Sequence, residues 1–327
     1  MRVLFMGTPD FAVESLDAIL KNKYDVIGVV TVPDKPKGRG MKLIPSEVKE
    51  YAINNNIPVY QPEKIKENVE FINEIKKLNP DIMCVVSYGK ILPKEILELP
   101  KYGVVNVHPS LLPKYRGSAP IQWAILNGDK VTGITTMYLD EGMDSGDIIL
   151  QKEVKIDDDE TSGELWNRLS KIGGELLVES LKKIQENEAP RIKQGDNFTL
   201  APMLDKQMAK IDWENKTGSE IKNLVRGLNP IMGAYSNLNG KKIKFWKVQN
   251  ISIEEFIKEH NEFQEYEYRF KNIDPGTILY VDKKLGIYVK AKDSIILILE
   301  IQGENAKRMT APEFLRGNKI EVVDKFE

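Results

Sequence analysis

The stretch GVVNVHPSLLPKYRGSAP (residues 103–120) holds one of only two histidines in this 327-residue chain. GVVNVH is typical of a buried β-strand, and because side chains alternate along a strand, Asn106 and His108 project to the same face. Both lie at the carboxyl end of the strand, where open α/β sheets form their ligand sites. The PSLLPKYRG segment that follows has two prolines and a glycine, which predicts a stiff loop able to wall a pocket. To predict the fold, we therefore ask what kind of sheet this strand belongs to.

The sequence before this strand alternates apolar strands with helical patterns. RVLFMG (2–7), YDVIGVVTV (24–32) and DIMCVVSY (81–88) are typical of strands, and AVESLDAILKN (12–22) is typical of an amphipathic helix. Uniformly apolar strands that alternate with helices predict a mostly parallel sheet covered on both faces. We therefore predict an α/β domain over residues 1–187.

The pattern changes after residue 187. Residues 188–205, EAPRIKQGDNFTLAPMLD, lose hydrophobic periodicity and carry two prolines, which is typical of a linker between domains. Beyond the linker, short strands and tight turns, including one at Asn239–Gly240, predict a small β-barrel such as an OB-fold over residues 206–327.

The composition excludes several classes of protein. A hydrophobic content of 41% and a charged content of 29% are typical of a soluble globular protein. The net charge of −2 and pI near 6.0 give no overall signature of nucleic-acid binding. We find no signal peptide and no apolar run long enough to span a bilayer, and the single Cys84 cannot form an internal disulfide. We therefore expect a cytoplasmic protein that does not associate with membranes.

The sequence also argues against two common kinds of site. Two histidines and one cysteine are too few for the usual zinc ligands, so we expect no metal. The first predicted strand is followed by GTPDF (7–11), which lacks the glycines that a dinucleotide-binding turn requires. NAD binding is therefore disfavoured.

The polar residues at the end of the 103–108 strand have two interpretations. An amide donor beside an imidazole suits a reaction in which negative charge develops on a carbonyl oxygen. A histidine that only forms hydrogen bonds at the strand end fits the spacing equally well. The segment LDEGMDSGDI (139–148) adds four carboxylates in a glycine-rich loop, any of which could orient the imidazole, although acidic turns are common.

NVHPSLLPKYRG (106–117), followed by DEGMDSGDI (140–148), resembles the signature of the folate-dependent formyltransferases. That resemblance implies a Rossmann-like domain that transfers a formyl group to an amine, with 10-formyltetrahydrofolate as donor and no metal. It implies catalytic roles for Asn106, His108 and Asp144. The implied folate contacts are Ser110, Leu111, Leu112 and Pro113.

Three further stretches resemble the branch of this family that formylates initiator methionyl-tRNA for translation initiation. They are MGTPDFAVESLDAI (6–19), VVTVPDKPKGRGMKLIPSEVK (29–49) and APIQWAILNGD (119–129). The resemblance implies that the C-terminal domain binds tRNA, and we expect a monomer. In the first domain we predict tRNA contacts at Arg39 and Lys42 of the basic loop, with Phe11 near the aminoacyl end. Phe11 fits the hydrophobic core as well, because it begins an apolar-faced helix.

The hairpin NGKKIKFWK (239–247) carries a second group of lysines. Strict alternation predicts Lys242 and Lys244 on one face and Lys241 and Lys247 on the other, so the four would not form one stripe.

Other functions remain open on the sequence alone. Formyl transfer to a sugar amine or hydrolysis of formyltetrahydrofolate would use the same three catalytic residues. A non-enzymatic RNA-binding protein would keep the basic loop and the barrel but would not need those residues.

Overall fold

The computed structural model describes residues 1–37, 42–260, 263 and 272–327. The chain forms two compact units. The first contains residues 1–120, 131–155 and 165–202, and the second contains residues 121–130, 156–164 and 203–327. Residues 188–202 thus group with the first unit, and the division of the chain at residues 187 and 205 stays a prediction.

The first unit contains a seven-stranded sheet in the order β5-β2-β1-β6-β7-β8-β9. Its strands are β1 (Arg2–Gly7), β2 (Asp25–Val30), β5 (Val59–Tyr60), β6 (Ile82–Val86), β7 (Val104–His108), β8 (Val131–Tyr138) and β9 (Ile148–Lys155). Five neighbouring strands, β5, β2, β1, β6 and β7, pair in parallel. Strand β8 pairs antiparallel with β7, and β9 pairs antiparallel with β8. A separate pair consists of β3 (Lys35–Lys37) and β4 (Lys42–Ile44). This arrangement confirms the predicted mostly parallel α/β domain.

Helices follow the strands of this unit, as the sequence periodicity predicts. They are α1 (Asp10–Lys21), α2 (Glu47–Asn54), α3 (Val69–Leu78) and α4 (Lys94–Leu97), with most of α6 (Ser162–Gln185) farther along the chain, whereas α5 (Pro120–Leu126) lies almost entirely in the second unit. Side-chain caps fix the starts of two of them: Ser46 accepts the Lys49 N–H at α2, and Asn68 accepts the Phe71 N–H at α3. Every residue of β6 and β7 is buried, as expected for strands covered on both faces.

The second unit contains a six-stranded antiparallel sheet. Its strands are β10 (Ala234–Leu238), β11 (Lys241–Ile251), β12 (Ile278–Asp282), β13 (Gly286–Lys290), β14 (Ile295–Gln302) and β15 (Met309–Thr310). They follow the order β10-β11-β14-β13-β12, and β15 pairs with β14. Asn239 and Gly240 both have positive φ, 51° and 73°, which is the turn predicted for the first hairpin. The predicted β-rich C-terminal domain is therefore confirmed.

Helices α7 (Gly218–Gly227), α8 (Ile253–Glu259) and α9 (Ala311–Gly317) complete the described second unit. Capping boxes begin two of them, Thr217 with Glu220 at α7 and Thr310 with Glu313 at α9. The α7 helix packs against β11. In the parts of the chain that the structure describes, we find no helix with both the length and the apolar character needed to cross a membrane.

Candidate active site

Asn106 and His108 lie two residues apart at the carboxyl end of β7, on one face of the strand. Both are nearly buried, with exposed fractions of 9% for Asn106 and 4% for His108. Within the described part of the chain, no hydrogen bond involves the Asn106 side-chain amide. Its polar atoms are not among the fully buried side-chain atoms that lack a partner, so its N–H groups are accessible and can bind another molecule.

The His108 ring has a different partner at each nitrogen. Nε2 lies 2.8 Å from the carbonyl oxygen of Tyr115, and because a carbonyl oxygen only accepts, Nε2 donates. Nδ1 lies 3.7 Å from Oδ2 of Asp144. This partner at Nε2 assigns the neutral ring a free Nδ1, so the nitrogen that can gain a proton faces the carboxylate.

Asp144 is held in an unusual backbone conformation. Its φ is +48°, in the left-handed region that residues other than glycine rarely adopt. Its Oδ2 accepts a hydrogen bond of 2.8 Å from the Gly117 N–H. Gly117 itself has φ +121°, and a Cβ there would lie 2.8 Å from the Ala201 carbonyl oxygen, so only glycine fits. The structure therefore brings Asp144 close to His108, and His108 lies on the same strand as Asn106.

The loop after β7 is fastened to β8 and β9. Thr135 Oγ1 donates to the Ser110 carbonyl oxygen at 2.6 Å and accepts the Leu112 N–H at 3.1 Å. Gln151 Nε2 donates to the Leu112 carbonyl oxygen at 2.8 Å. The side chains of Ser110 and Leu112 are buried. The predicted folate residues with partly exposed side chains are Leu111 and Pro113.

The sequence analysis missed Thr135 and Gln151. Thr135 lies directly opposite His108 in the antiparallel β7–β8 register, and Gln151 lies opposite Thr135 across β8 and β9. Only the knowledge that β8 runs antiparallel to β7 would have identified them, because their spacing from His108 in sequence carries no such signal.

The predicted tRNA contacts of the first unit have three different outcomes. Phe11 is fully buried, and its ring centroid lies 4.9 Å from that of Trp166 in an edge-to-face contact. Arg39 lies outside the described residues, and Lys42 is described as part of the backbone of β4. Their roles in binding tRNA stay predictions.

A β-bulge in β11 changes which side chains share a face. Ile243, Phe245 and Val248 are buried, with exposed fractions of 5%, 0% and 6%. The register shifts on both sides of Lys247, so Trp246 and Lys247 both lie on the outer side. The prediction that Lys247 lies on the opposite face from Lys244 was therefore wrong.

Cations and aromatic rings alternate on this outer side. Lys242 Nζ lies 3.5 Å from the ring centroid of Tyr235. Lys244 Nζ and Arg308 Cζ lie 5.6 and 5.3 Å from the ring centroid of Trp246. Such pairs are favourable and keep cationic groups beside flat apolar surfaces. We call this surface the β11 face, and it consists of Tyr235, Lys242, Lys244, Trp246, Lys247 and Arg308.

The second histidine belongs to a different environment. His260 follows α8, and its ring centroid lies 4.5 Å from that of Tyr280 and 4.7 Å from that of Phe256. It therefore forms part of an aromatic cluster of the second unit. In residues 1–37, 42–260, 263 and 272–327, no group of three or more His, Cys, Asp or Glu side chains is placed to hold a metal ion.

Comparison with known proteins gives two matching family models. The model described as formyl transferase matches residues 1–181, and the model described as formyl transferase, C-terminal domain, matches residues 203–319. Solved structures that share the fold include an N-formyltransferase and HypX. An N-formyltransferase from Helicobacter canadensis, in complex with folinic acid and dTDP-3-aminofucose, is 24% identical with a TM-score of 0.63, covering 90% of this chain and 98% of its own. HypX from Aquifex aeolicus is 17% identical with a TM-score of 0.62, covering all of this chain and 51% of its own.

Relatives with much higher identity match both units together. The methionyl-tRNA formyltransferase of Clostridioides difficile is 50% identical over 323 residues, covering 98% of both chains. That of Acetivibrio thermocellus is 48% identical over 321 residues, covering 98% of this chain and 97% of its own. From these matches, the chain belongs to the formyl transferase family, in the group of the methionyl-tRNA formyltransferases.

Proposed function

We propose that this chain transfers a formyl group from 10-formyltetrahydrofolate to the α-amine of initiator methionyl-tRNA, acting as a cytoplasmic monomer. The product, N-formylmethionyl-tRNA, serves translation initiation. The observation that carries the proposal is the nearly buried Asn106 amide, which has no hydrogen bond within the described part of the chain, beside the His108–Asp144 pair. A donor amide, an imidazole and a carboxylate are the groups that formyl transfer to an amine requires.

The residues present fit a folate donor. The amide of Asn106, which has no hydrogen bond within the described residues, can donate to a carbonyl oxygen, and Leu111 and Pro113, five and seven residues later, offer partly exposed apolar surface. The side chains of Ser110 and Leu112, beside and between these residues in sequence, are buried and help to fix the backbone of the loop. When bound, the donor supplies the formyl carbon that the amine attacks.

Asn106 stabilises the charge that develops during this attack. As the new bond forms at the formyl carbon, negative charge builds on the formyl oxygen. An N–H of Asn106 donates to that oxygen in a site from which the fold excludes most water. Removing one such donor typically lowers kcat by about 10²–10³-fold.

We assign the proton transfers of the reaction to His108 and Asp144. The attacking amine must lose a proton, and the folate nitrogen must gain one as its bond to the formyl carbon breaks. His108 holds a proton at Nδ1 when its ring is charged, and Asp144 Oδ2 at 3.7 Å stabilises that charge. The Tyr115 carbonyl keeps Nε2 protonated, so only Nδ1 exchanges protons.

The β11 face supports the tRNA part of the proposal. Its lysines can neutralise phosphates, and the ring of Trp246 offers a surface on which an unpaired base can stack. For the first unit we also propose tRNA contacts at Arg39 and Lys42, and we propose that Phe11, which is buried, lies near the aminoacyl end. No metal takes part in the proposed reaction.

The test is formyl transfer by the purified protein from 10-formyltetrahydrofolate to charged initiator methionyl-tRNA. Uncharged tRNA, a free amino sugar and water alone serve as alternative acceptors. We expect formylation only of methionyl-tRNA, at least 10²-fold reduced by His108→Ala. His260→Gln is the matched control, because it removes the other histidine of the chain and should retain activity. Turnover with the sugar or with water alone would contradict the proposed acceptor, and full activity of His108→Ala would contradict the proposed catalytic site.

A further inference from the structure

The Gln194 side chain joins two parts of the candidate active site. Its Oε1 accepts hydrogen bonds from Nε and Nη2 of Arg116, at 3.0 and 2.8 Å. Its Nε2 donates to the carbonyl oxygens of Asp144 and Gly146, at 2.9 and 2.8 Å. A guanidinium only donates and a carbonyl oxygen only accepts, so this network fixes which end of the amide is which. Every hydrogen-bonding capacity of the amide is therefore used, on both sides, by residues of the site.

Arg116 is itself held in place. Its N–H donates to the Thr199 carbonyl oxygen at 2.9 Å, and its carbonyl oxygen accepts the Ala201 N–H at 2.7 Å. Its guanidinium carbon lies 4.5 Å from the ring centroid of Phe198. Gln194 therefore binds an arginine whose backbone is fixed by hydrogen bonds and whose guanidinium packs on the Phe198 ring.

The segment that carries Gln194 is fastened to β9 on its other side. Ile192 and Ile148 exchange two backbone hydrogen bonds, of 2.8 and 3.0 Å. The position of the Gln194 amide is thus fixed by the pairing of its segment with β9 and by its hydrogen bonds with Arg116. In this position the amide donates to the loop that carries Asp144.

That loop needs an external restraint. The left-handed conformation of Asp144, with φ +48°, is unfavourable for most residues other than glycine, so contacts from outside the loop help to hold it. Gln194 binds the carbonyl of Asp144 itself and of Gly146, and the Gly117 N–H binds the carboxylate. Together these contacts keep Oδ2 at 3.7 Å from His108 Nδ1.

We propose that Gln194, oriented by Arg116, is a positioning residue for formyl transfer that acts through Asp144. This inference rests on the proposed function. Gln194→Leu removes all of its hydrogen bonds and should lower kcat by about 10- to 100-fold, the range found for groups that orient the side chains of metal ligands. The KM for methionyl-tRNA should change by less than about threefold, because Gln194 binds the catalytic loop.

A second variant separates the loop contacts from the Arg116 contact. Gln194→Glu keeps an oxygen for Arg116 but turns the other oxygen toward two carbonyl oxygens, which cannot donate to it. We expect its kcat to fall as far as that of Gln194→Leu. The matched control is Gln61→Leu, which removes an amide that likewise bridges a carbonyl, that of Val32, and the carboxylate of Asp34. Its kcat should stay within about threefold of the wild type.

The decisive experiment is a double-mutant cycle with Asp144→Asn, measured as kcat on methionyl-tRNA. If Gln194 acts through Asp144, adding Gln194→Leu to Asp144→Asn should lower kcat by less than about threefold. Equal losses in both backgrounds, or no loss in the wild-type background, would overturn the inference. Inactivity of the wild type would instead contradict the proposed function.

A nuclear magnetic resonance measurement tests the positioning role without any activity. The chain has only two histidines, so selective ¹⁵N-histidine labelling gives two sets of ring signals. We expect Gln194→Leu and Gln194→Glu to shift the signals of His108 and leave those of His260 unchanged. Unchanged signals for His108 in both folded variants would contradict the inference.

Discussion

The end of β7 and the outer side of β11 are both surfaces formed by a strand, but they follow from the sequence in different ways. In β7 the alternation is regular, so Asn106 and His108, two residues apart, share a face. In β11 a bulge interrupts the alternation, so the neighbours Trp246 and Lys247 share a face. A regular strand allows its polar face to be predicted from spacing, whereas a bulge conceals that face until the strand pairing is known.

The largest expected effect lies at β7. Asn106→Ala should lower kcat by about 10²–10³-fold and leave the KM for methionyl-tRNA nearly unchanged, because the amide acts on charge that develops during the reaction. Asn106→Asp tests whether the amide N–H or the shape matters, since a carboxylate has the same shape and no donor. Steady-state kinetics on methionyl-tRNA checks both variants, and near-normal turnover of Asn106→Asp would show that the donor is not required.

An effect of intermediate size is expected from substitutions in β11, which should weaken binding of methionyl-tRNA without slowing the formyl-transfer step. Replacing Lys242 and Lys244 together by glutamine should raise the KM for methionyl-tRNA by about tenfold near 0.1 M salt and leave kcat unchanged. The slope of log KM against log salt concentration should become less steep by about two, one for each lost phosphate contact.

The matched control for that experiment lies in the same sheet. Lys283 and Lys284 occupy the turn between β12 and β13, outside the β11 face, and their double replacement by glutamine removes the same charge. It should leave the KM nearly unchanged. Equal increases in both double variants would mean that only the total charge matters, and a lower kcat for Lys242→Gln with Lys244→Gln would place these lysines in the chemistry.

The smallest expected effect concerns the helix that packs behind β11. A hydrogen bond from Lys216, together with those from Thr217, lowers the pKa of Glu220 to about 2. A carboxyl group with a lowered pKa stabilises the folded state above its ordinary pKa of about 4.5, and this contribution is lost as the pH falls toward 2. At pH 7, Glu220→Gln should reduce the free energy of unfolding by about 1 kcal/mol, because the half-exposed side chain is screened by solvent.

Urea denaturation at a series of pH values checks this prediction. The difference between the wild type and Glu220→Gln should be full above about pH 4.5 and should disappear near pH 2. Glu313→Gln, in the equivalent capping box of α9, is the comparison and should show the same trend, since hydrogen bonds from Thr310 lower the pKa of Glu313. A difference that does not depend on pH would exclude the carboxylate charge as its source.

Much of the fold could be predicted from the sequence because it depends on local patterns. The apolar strands β1, β6 and β7 and the Asn239–Gly240 turn are visible as short-range periodicity and turn chemistry. Asn106 and His108 form a pair by spacing alone, but only the resemblance to a family singled out Asp144 among four carboxylates. The contacts of Thr135, Gln151 and Gln194 depend on strand pairing and on hydrogen bonds between residues 16 to 78 positions apart, which no local pattern contains.

The order in which the chain is synthesised gives the segment from Ile192 to Ala201 a further meaning. Asp144 leaves the ribosome 50 residues before Gln194, and Arg116 leaves 78 residues before it. A nascent chain that ends with α6 already contains Asn106, His108 and Asp144, but it lacks the segment that fastens their loops. The catalytic unit is therefore completed by its last residues, and synthesis of residues 203–327, the largest part of the second unit, begins only after the first unit has received the segment that holds its site.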